Sequence, residues 1–224
     1  MGYLNFASTK PNAGHSAVAE IEQSGRCHGI ITQNVDGYHQ DAGAKNVIEL
    51  HGNLHYVKCL DCHSRVPRAE FQERMIRENQ KFYDANLERS RSGNRFPDEN
   101  TVPVMKPDGD IELVSEDFAN FVLPRCSSCD SINVQPDIVF MGGNVDPEIA
   151  EKASQWVEEA DGLLVLGSTL TVYSSFRLAK HIKRREFPLA IVNRGVTRAD
   201  PIADIKIEEG VTDTLHYLLR HATL

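Results

Sequence analysis

Four residues in the first quarter of the chain carry side chains suited to handling a nucleotide. Gln33, Asn34 and Asp36 lie in the run Thr32-Gln33-Asn34-Val35-Asp36-Gly37, and His51 lies in Glu49-Leu50-His51-Gly52. Asn and Gln each offer a donor and an acceptor, which match a carboxamide or ribose hydroxyls; Asp accepts from a hydroxyl or amide, and His moves a proton near neutral pH. The same residues would also make an Asn-Asp turn beside a surface histidine. Two cysteine pairs, Cys59/Cys62 and Cys126/Cys129, have the Cys-x-x-Cys spacing of zinc knuckles. Further on, Gly167-Ser168-Thr169 follows four apolar residues and offers hydroxyls and backbone amides to a phosphate.

Such groups need strand ends to hold them. The β-prone runs Gly29 to Thr32 and Asn46 to Leu50 each end in polar residues and Gly, the way an open α/β sheet presents functional groups at the carboxyl ends of its strands. Asn12 is placed to cap a helix over His15 to Gln23, with Ala17, Val18 and Ile21 apolar, Gly25 at its end and His15 structural. Leu54 to Lys58 reads as a strand feeding the first knuckle. Pro67 to Glu78 reads as a helix, with apolar positions at Ala69, Phe71, Met75 and Ile76. Residues 79–110 are rich in Asn, Arg, Asp, Ser and Pro and predict a long surface loop or disorder; a strand at 111–114 and a turn at 117–121 follow.

Pro136 to Met141 predicts a buried strand running into Gly142 and Gly143. Asp146 and Pro147 open a helix whose stripe is Ile149, Ala153, Trp156, Val157 and Ala160. Leu163 to Leu166, a helix over Tyr173 to Arg185 and Leu189 to Asn193 make a βαβ unit, with Leu163 to Leu166 a buried strand. A strand at Asp204 to Glu208 and a helix over Val211 to His221 complete the chain, with His216 and His221 at the surface.

At 224 residues and 41% hydrophobic composition, the chain has enough apolar mass for one or two cores. A formal charge of -8 supplies no basic field for counterion release, so nucleic acid is excluded as an expected partner. No apolar run approaches the roughly 20 residues that span a bilayer, and the first ten residues are too short and polar for a secretory signal. The expectation is a soluble protein with no membrane partner.

Five cysteines, two pairs and a single Cys27, fit a reducing compartment and a metal site better than a disulfide framework. Cys27 is expected to be a buried, inert thiol. Two knuckles supply the four thiolates of a closed tetrahedral zinc site, with His55 and His63 as bystanders. Four unpaired thiols or a redox pair are the alternatives, and two equivalent pairs flanked by polar loops argue against both.

TQNVDGYHQDAG followed by ELHG resembles the sirtuin family signature. KPNAGH at 10–15, the paired Cys-x-x-Cys motifs, PDIVFMGG at 136–143 and GSTLTVYS at 167–174 match further pieces in the family's order. The resemblance implies an α/β fold: a Rossmann-like parallel sheet built from residues 1–52 and 136–224, and a small zinc-binding insertion over 53–135. It implies NAD-dependent removal of an acyl group from protein lysine. By the family pattern His51 is the general base, Asn34 and Asp36 orient nicotinamide, Gln33 meets the ribose, and Val35 belongs to the same cofactor-binding run. Gly167, Ser168 and Thr169 would take the phosphates, Asn193 with Arg194 and Gly195 the adenosine ribose, and Val211 the adenine. Val139, Phe140 and Gly142 would face the acylated lysine of a protein substrate, and Cys59, Cys62, Cys126 and Cys129 would hold one structural zinc ion.

The implied reaction begins with attack of the acyl oxygen on the ribose carbon as nicotinamide departs. His51 then takes a proton from a ribose hydroxyl, and the acyl group passes to ADP-ribose. The long stretch between the cysteine pairs, with Lys106-Pro107-Asp108-Gly109-Asp110, and the passage VNRGVTRAD at 192–200 are similar to the class II mitochondrial sirtuins. That similarity implies acyl groups larger than acetyl, including lipoyl-type chains, possible ADP-ribosyl transfer and a mitochondrial matrix address. Nothing like the family's GAGIS or DFR segments precedes residue 10. A partial chain, or a catalytically impaired sirtuin acting as a zinc-bearing protein-binding module, is therefore the second expectation. The sequence says nothing of oligomeric state.

Overall fold

The computed structural model describes residues 3, 6–84 and 120–221. In chain order the elements are α1 (Ala13–Gln23), β1 (Ile30–Thr32), α2 (Tyr38–Asp41), β2 (Val47–Glu49), β3 (Gly52–Cys59), β4 (Arg65–Pro67), α3 (Arg68–Glu78), β5 (Val134–Ile138), α4 (Pro147–Glu159), β6 (Leu163–Leu166), α5 (Tyr173–Arg184), β7 (Leu189–Val192), β8 (Ile205–Ile207) and α6 (Val211–His221). They group into two compact units, Pro11–Leu54 with Ile138–Leu224, and Met1–Lys10 with His55–Asp137.

The unit that begins at Pro11 is a Rossmann-like α/β core. β1 and β2 pair in parallel, Ile30 opposite Val47 and Thr32 opposite Glu49. β6, β7 and β8 form a second parallel ladder in that order, with Leu163 opposite Leu189 and Ala190 opposite Ile205. Side chains alternate across a strand, and one face of the second ladder packs on helices: Val165, Leu189 and Ile191 share a cluster with Ala153 and Val157 of α4 and with Leu178, Ala179 and Ile182 of α5. Ile48 and Leu50, from β2 and the residue after it, join the same cluster. Ile182, Leu189 and Ile191 are wholly buried, and truncating any of them to Ala would cost about 2–5 kcal/mol. Leu164 and Ile205 point to the other face and are exposed, so β6 is buried on one side rather than throughout.

Local chemistry sets the helix ends. Asn12 accepts from the amides of Gly14 and His15, while the His15 ring accepts from the Asn12 amide at 3.2 Å, a capping box with His in the place of the usual Glu. The helix therefore begins at Ala13, two residues ahead of the sequence expectation, and the positive φ of 76° at Gly25 ends it. Asp146 caps α4 by accepting from the Glu148 amide at 2.9 Å, with Pro147 in the first turn. A Cβ on Gly29 would stand 2.4 Å from the Trp156 ring, so only glycine lets α4 approach the start of β1 this closely.

The other unit contains a three-stranded sheet in the order β4-β3-β5. β4 was not expected; it pairs antiparallel with β3, Val57 opposite Val66, and moves the helix start to Arg68. The buried Asn79 accepts from the Val122 amide and donates to its carbonyl, clamping that segment at 2.7 Å on both bonds. Residues 80–84 are helical instead of looped. The rest of the expected loop, the strand at 111–114 and most of the turn at 117–121 lie outside the described residues. Residues 1–10 group with this unit rather than with the expected NAD-binding segment: the rings of Tyr3 and Phe6 lie against His55, and Arg68 stands over Tyr3. Among the described residues no helix is long and apolar enough to cross a membrane.

Candidate active site and metal centre

The carboxyl ends of β1 and β2 bring the first group of candidate residues together. His51, two residues beyond β2, is half-buried, and its Nε2 lies 3.0 Å from the Ser174 hydroxyl in the first turn of α5. Burial lowers the pKa of the imidazole below its ordinary value of 6.5, and the backbone carbonyl of Gln33 raises it back in part. The ring is therefore neutral at pH 7, the form able to accept a proton. The His51 carbonyl accepts from the Val139 amide at 2.8 Å, which fixes its backbone. Gln33, directly after β1, donates through its side-chain amide to Ser168 at 2.8 Å.

The intervening loop is held by its own backbone. The Asn34 amide donates to Thr32 Oγ1, the Val35 carbonyl accepts from Leu54, and Asp36 accepts from the Tyr38 amide at 3.0 Å in an Asx turn. The sequence alternatives of an Asn-Asp turn and a functional cluster thus coexist: the turn is present, and it leaves Asn34 exposed.

The second group lies at the carboxyl ends of β6, β7 and β8, the edge where open α/β sheets bind ligands. The Gly167 amide extends the ladder to the Val192 carbonyl, and the chain then turns at φ 61°, a conformation that favours glycine. A Cβ there would meet Val211 at 3.4 Å, so the expected phosphate turn and the expected adenine contact are neighbours. Leu170 also has a positive φ, 53°, and buries its side chain in the core, so an anchored but strained residue holds the loop. Ser168 Oγ accepts from the Leu170 amide at 3.2 Å, while Thr169 is exposed. After β7, the side chain of Asn193 donates to the carbonyls of Arg194 and Gly195, closing that loop on itself.

Several supports of this edge were assigned no role by the sequence. The Arg198 amide donates to the Thr169 carbonyl at 2.9 Å and its guanidinium to the Thr171 carbonyl at 3.0 Å, tying the loop after β7 to the loop after β6. Lys206 donates to both the Gly195 carbonyl and Asp200. Glu22, buried on α1, accepts from the amides of Lys45 and Asn46 and from the Asn46 side chain, fixing the entry to β2. Ser174 stood inside GSTLTVYS, and Arg198 and Asp200 inside VNRGVTRAD, but neither motif assigned them these bonds.

The expected substrate strand is shorter than its sequence suggests. β5 stops at Ile138, the Gly143 amide closes a turn on the Phe140 carbonyl, and Phe140 is half-exposed while Met141 is fully exposed. Val139 is partly buried and bonded to His51 through its backbone, whereas Gly142 is open, with a φ of 82°. Cys27 is partly buried; burial raises its thiol pKa, and the thiol donates to the Gly29 carbonyl.

In the other unit, Cys59, Cys62, Cys126 and Cys129 place all four sulfurs within 4.8 Å of one another. The Cys59–Cys129 and Cys62–Cys126 separations are 3.6 and 3.7 Å, close to the edge of about 3.8 Å expected for thiolates at 2.3 Å in a tetrahedron. The two knuckles match: the backbone amide of His63 donates to the Cys59 carbonyl and that of Asp130 to the Cys126 carbonyl, with φ near 60° at both His63 and Asp130. Ser64, unforeseen, lies 3.3 Å from the Cys126 sulfur, and its hydroxyl is the main cause of that thiol's fall to about 6. The donor set fits a closed metal site with no open position.

The Sir2 family model matches residues 2–174. An "NAD-dependent protein deacetylase 2" of Bradyrhizobium diazoefficiens is 38% identical over 219 residues, covering 98% of this chain and 74% of its own length. The "NAD-dependent protein deacylase Sirt4" of Drosophila melanogaster is 40% identical over 215 residues, covering 96% of this chain and 64% of the relative. Among solved structures, Sir2Tm bound to a propionylated peptide matches with a TM-score of 0.71 and 27% identity over 96% of this chain and 73% of that one. A Sir2–p53 peptide–NAD+ structure matches with a TM-score of 0.69 and 28% identity over 96% and 72%. With the family model matching residues 2–174 and relatives 38% and 40% identical over nearly the whole chain, the chain belongs to the Sir2 family.

Proposed function

We propose that this protein is an NAD-dependent protein-lysine deacylase with His51 as general base. The carrying observation is the position of His51: at a strand end, neutral at pH 7, and linked through Gln33 to the Ser168 turn. Bound NAD+ supplies an electrophilic ribose carbon and the hydroxyls that receive the acyl group. His51 accepts the proton of a ribose hydroxyl at Nε2, a contribution of about 10²–10⁴-fold. Gln33 orients that ribose, Asn34 and Asp36 orient the carboxamide, and Val35 holds their loop to Leu54. The turn that Gly167 opens presents Ser168 and Thr169 to phosphate; Asn193, Arg194 and Gly195 meet the second ribose, and Val211 packs on adenine. Val139, Phe140 and Gly142 border the acyl-lysine, and the cysteines hold one structural zinc ion, whose closed coordination leaves it no part in the reaction.

The finer reading is a class II-like enzyme of the mitochondrial matrix that removes acyl groups larger than acetyl. It is supported by the VNRGVTRAD loop and by the 40% identity to the Drosophila relative, which is named a deacylase. The test is incubation with NAD+ and acetyl-, propionyl- or lipoyl-lysine peptide, following nicotinamide and deacylated peptide by chromatography. Equimolar, acyl-dependent release that is lost in His51→Ala is expected. Folded, zinc-loaded protein that binds acyl peptide without releasing nicotinamide would overturn the reading and leave a binding module.

A further inference from the structure

We propose that Ser174 is a positioning residue for His51, holding the imidazole with Nε2 as the hydrogen-bond acceptor; this rests on the deacylase reading above. Two contacts define the ring. Its Nε2 meets the Ser174 hydroxyl at 3.0 Å, and the backbone carbonyl of Gln33 faces the ring. A carbonyl can meet a ring nitrogen only as an acceptor, so the nitrogen turned to Gln33 carries the proton. With Nε2 committed to Ser174, that nitrogen is Nδ1. Nε2 then holds a lone pair, and Ser174 donates to it. A base meant to take a proton from a ribose hydroxyl needs this tautomer, because the other one would present N–H to a group that must itself donate.

Ser174 is suited to the task by its place. It is the second residue of α5, whose Leu178, Ala179 and Ile182 are locked in the core, so its Cβ is fixed by packing. Its neighbour Ser175 donates to the Val172 carbonyl and is buried, a structural bond that Ser174 does not share. The hydroxyl donates to the neutral ring and can turn to accept from the protonated one, so the contact serves both charge states. Ser174 therefore holds the direction of the base until the ribose hydroxyl takes its place at Nε2.

The test uses Ser174→Ala and Ser174→Thr in the full chain, with ¹⁵N-edited NMR of the His51 ring in the NAD-free protein and steady-state deacylation as a function of pH. The Ala variant should move the Nε2 resonance of the neutral ring, as an acceptor nitrogen that has lost its donor, and lower kcat by about five- to tenfold, the loss of one hydrogen bond, with KM for NAD+ unchanged. Thr, which keeps the hydroxyl, should restore both readouts. An Nε2 resonance left unmoved in the Ala variant would overturn the proposal. The ring spectrum reads the NAD-free protein, so it decides the matter even if wild-type protein shows no deacylase turnover.

Discussion

The side-chain amide of Gln33 donates to the hydroxyl of Ser168 at 2.8 Å across 135 residues of sequence, joining the end of β1 to the turn after β6. Each partner lies at the carboxyl end of a parallel strand, and the two strands belong to different ladders. The bond sets the distance between the residue proposed to meet the ribose and the turn proposed to receive phosphate.

Gln33→Ala and Ser168→Ala should each weaken NAD+ binding by about three- to tenfold, the range of one lost hydrogen bond. Because both changes break the same bond, the double variant should fall well short of the product of the single effects. Calorimetric titration of the four proteins reads the coupling directly, and strictly multiplicative losses would show that the bond organises nothing.

Activity should have an acid limb set by His51. Burial lowers the imidazole pKa below 6.5, and only the neutral ring accepts a proton. Turnover should therefore hold steady from pH 8 down past the ordinary histidine value and fall only at lower pH, where the ring gains its charge. A kcat profile already halved above pH 6.5 would place another group in control.

Removal of metal should act on stability and not on chemistry. The four sulfurs form a closed set, and a site of that type contributes folding free energy. Metal analysis should give one zinc per chain, and prolonged chelation should lower the thermal midpoint. Cys126→Ser, which removes a buried ligand, should do the same without chelator. Activity lost faster than structure on chelation would contradict a structural role.

Much of this was legible in the sequence because it rests on local chemistry. β-prone runs ending in polar residues and Gly pointed to β1 and β2, which Gln33 and His51 follow, the cap at Asn12 pointed to α1, and the spacing of the cysteines pointed to the four clustered sulfurs. What stayed hidden depends on long-range partners. Nothing around Glu22 signals that its carboxylate will be buried to hold Asn46, 24 positions away. Likewise, nothing around Arg198 signals a bond to Thr171. The strand expected through Met141 failed for a different reason: an apolar run does not show where the turn at Phe140–Gly143 will cut it.

Asp200 offers a pH signature of its own. Hydrogen bonds from Lys206 first, then from Thr197, hold its carboxyl at about 2, against an ordinary 3.8. A depressed folded-state value means that the charged carboxylate stabilises the fold above the ordinary value, and that this contribution is lost as pH falls from there through about 2. Asp200→Asn should therefore be less stable than wild type in urea melts at pH 7, and the gap should close as pH drops below 4. A gap independent of pH would assign the effect to packing.

Arg198 is the strut whose loss should be felt in cofactor binding without being felt in the core. Its guanidinium stands 4.4 Å from the Phe176 ring centre and bonds the Thr171 carbonyl, while its amide bonds Thr169. Replacing it with Ala keeps the backbone bond and removes the stacking and the side-chain bond, roughly 1–2 kcal/mol together. The freed loop carries Thr169, so KM for NAD+ should rise about five- to thirtyfold while the thermal midpoint moves little, because the side chain is exposed. Lys keeps the charge but not the planar fork, so Arg198→Lys should recover only part of the loss. Full recovery by Lys would make the charge, rather than the stacked geometry, the feature that holds the loop after β6.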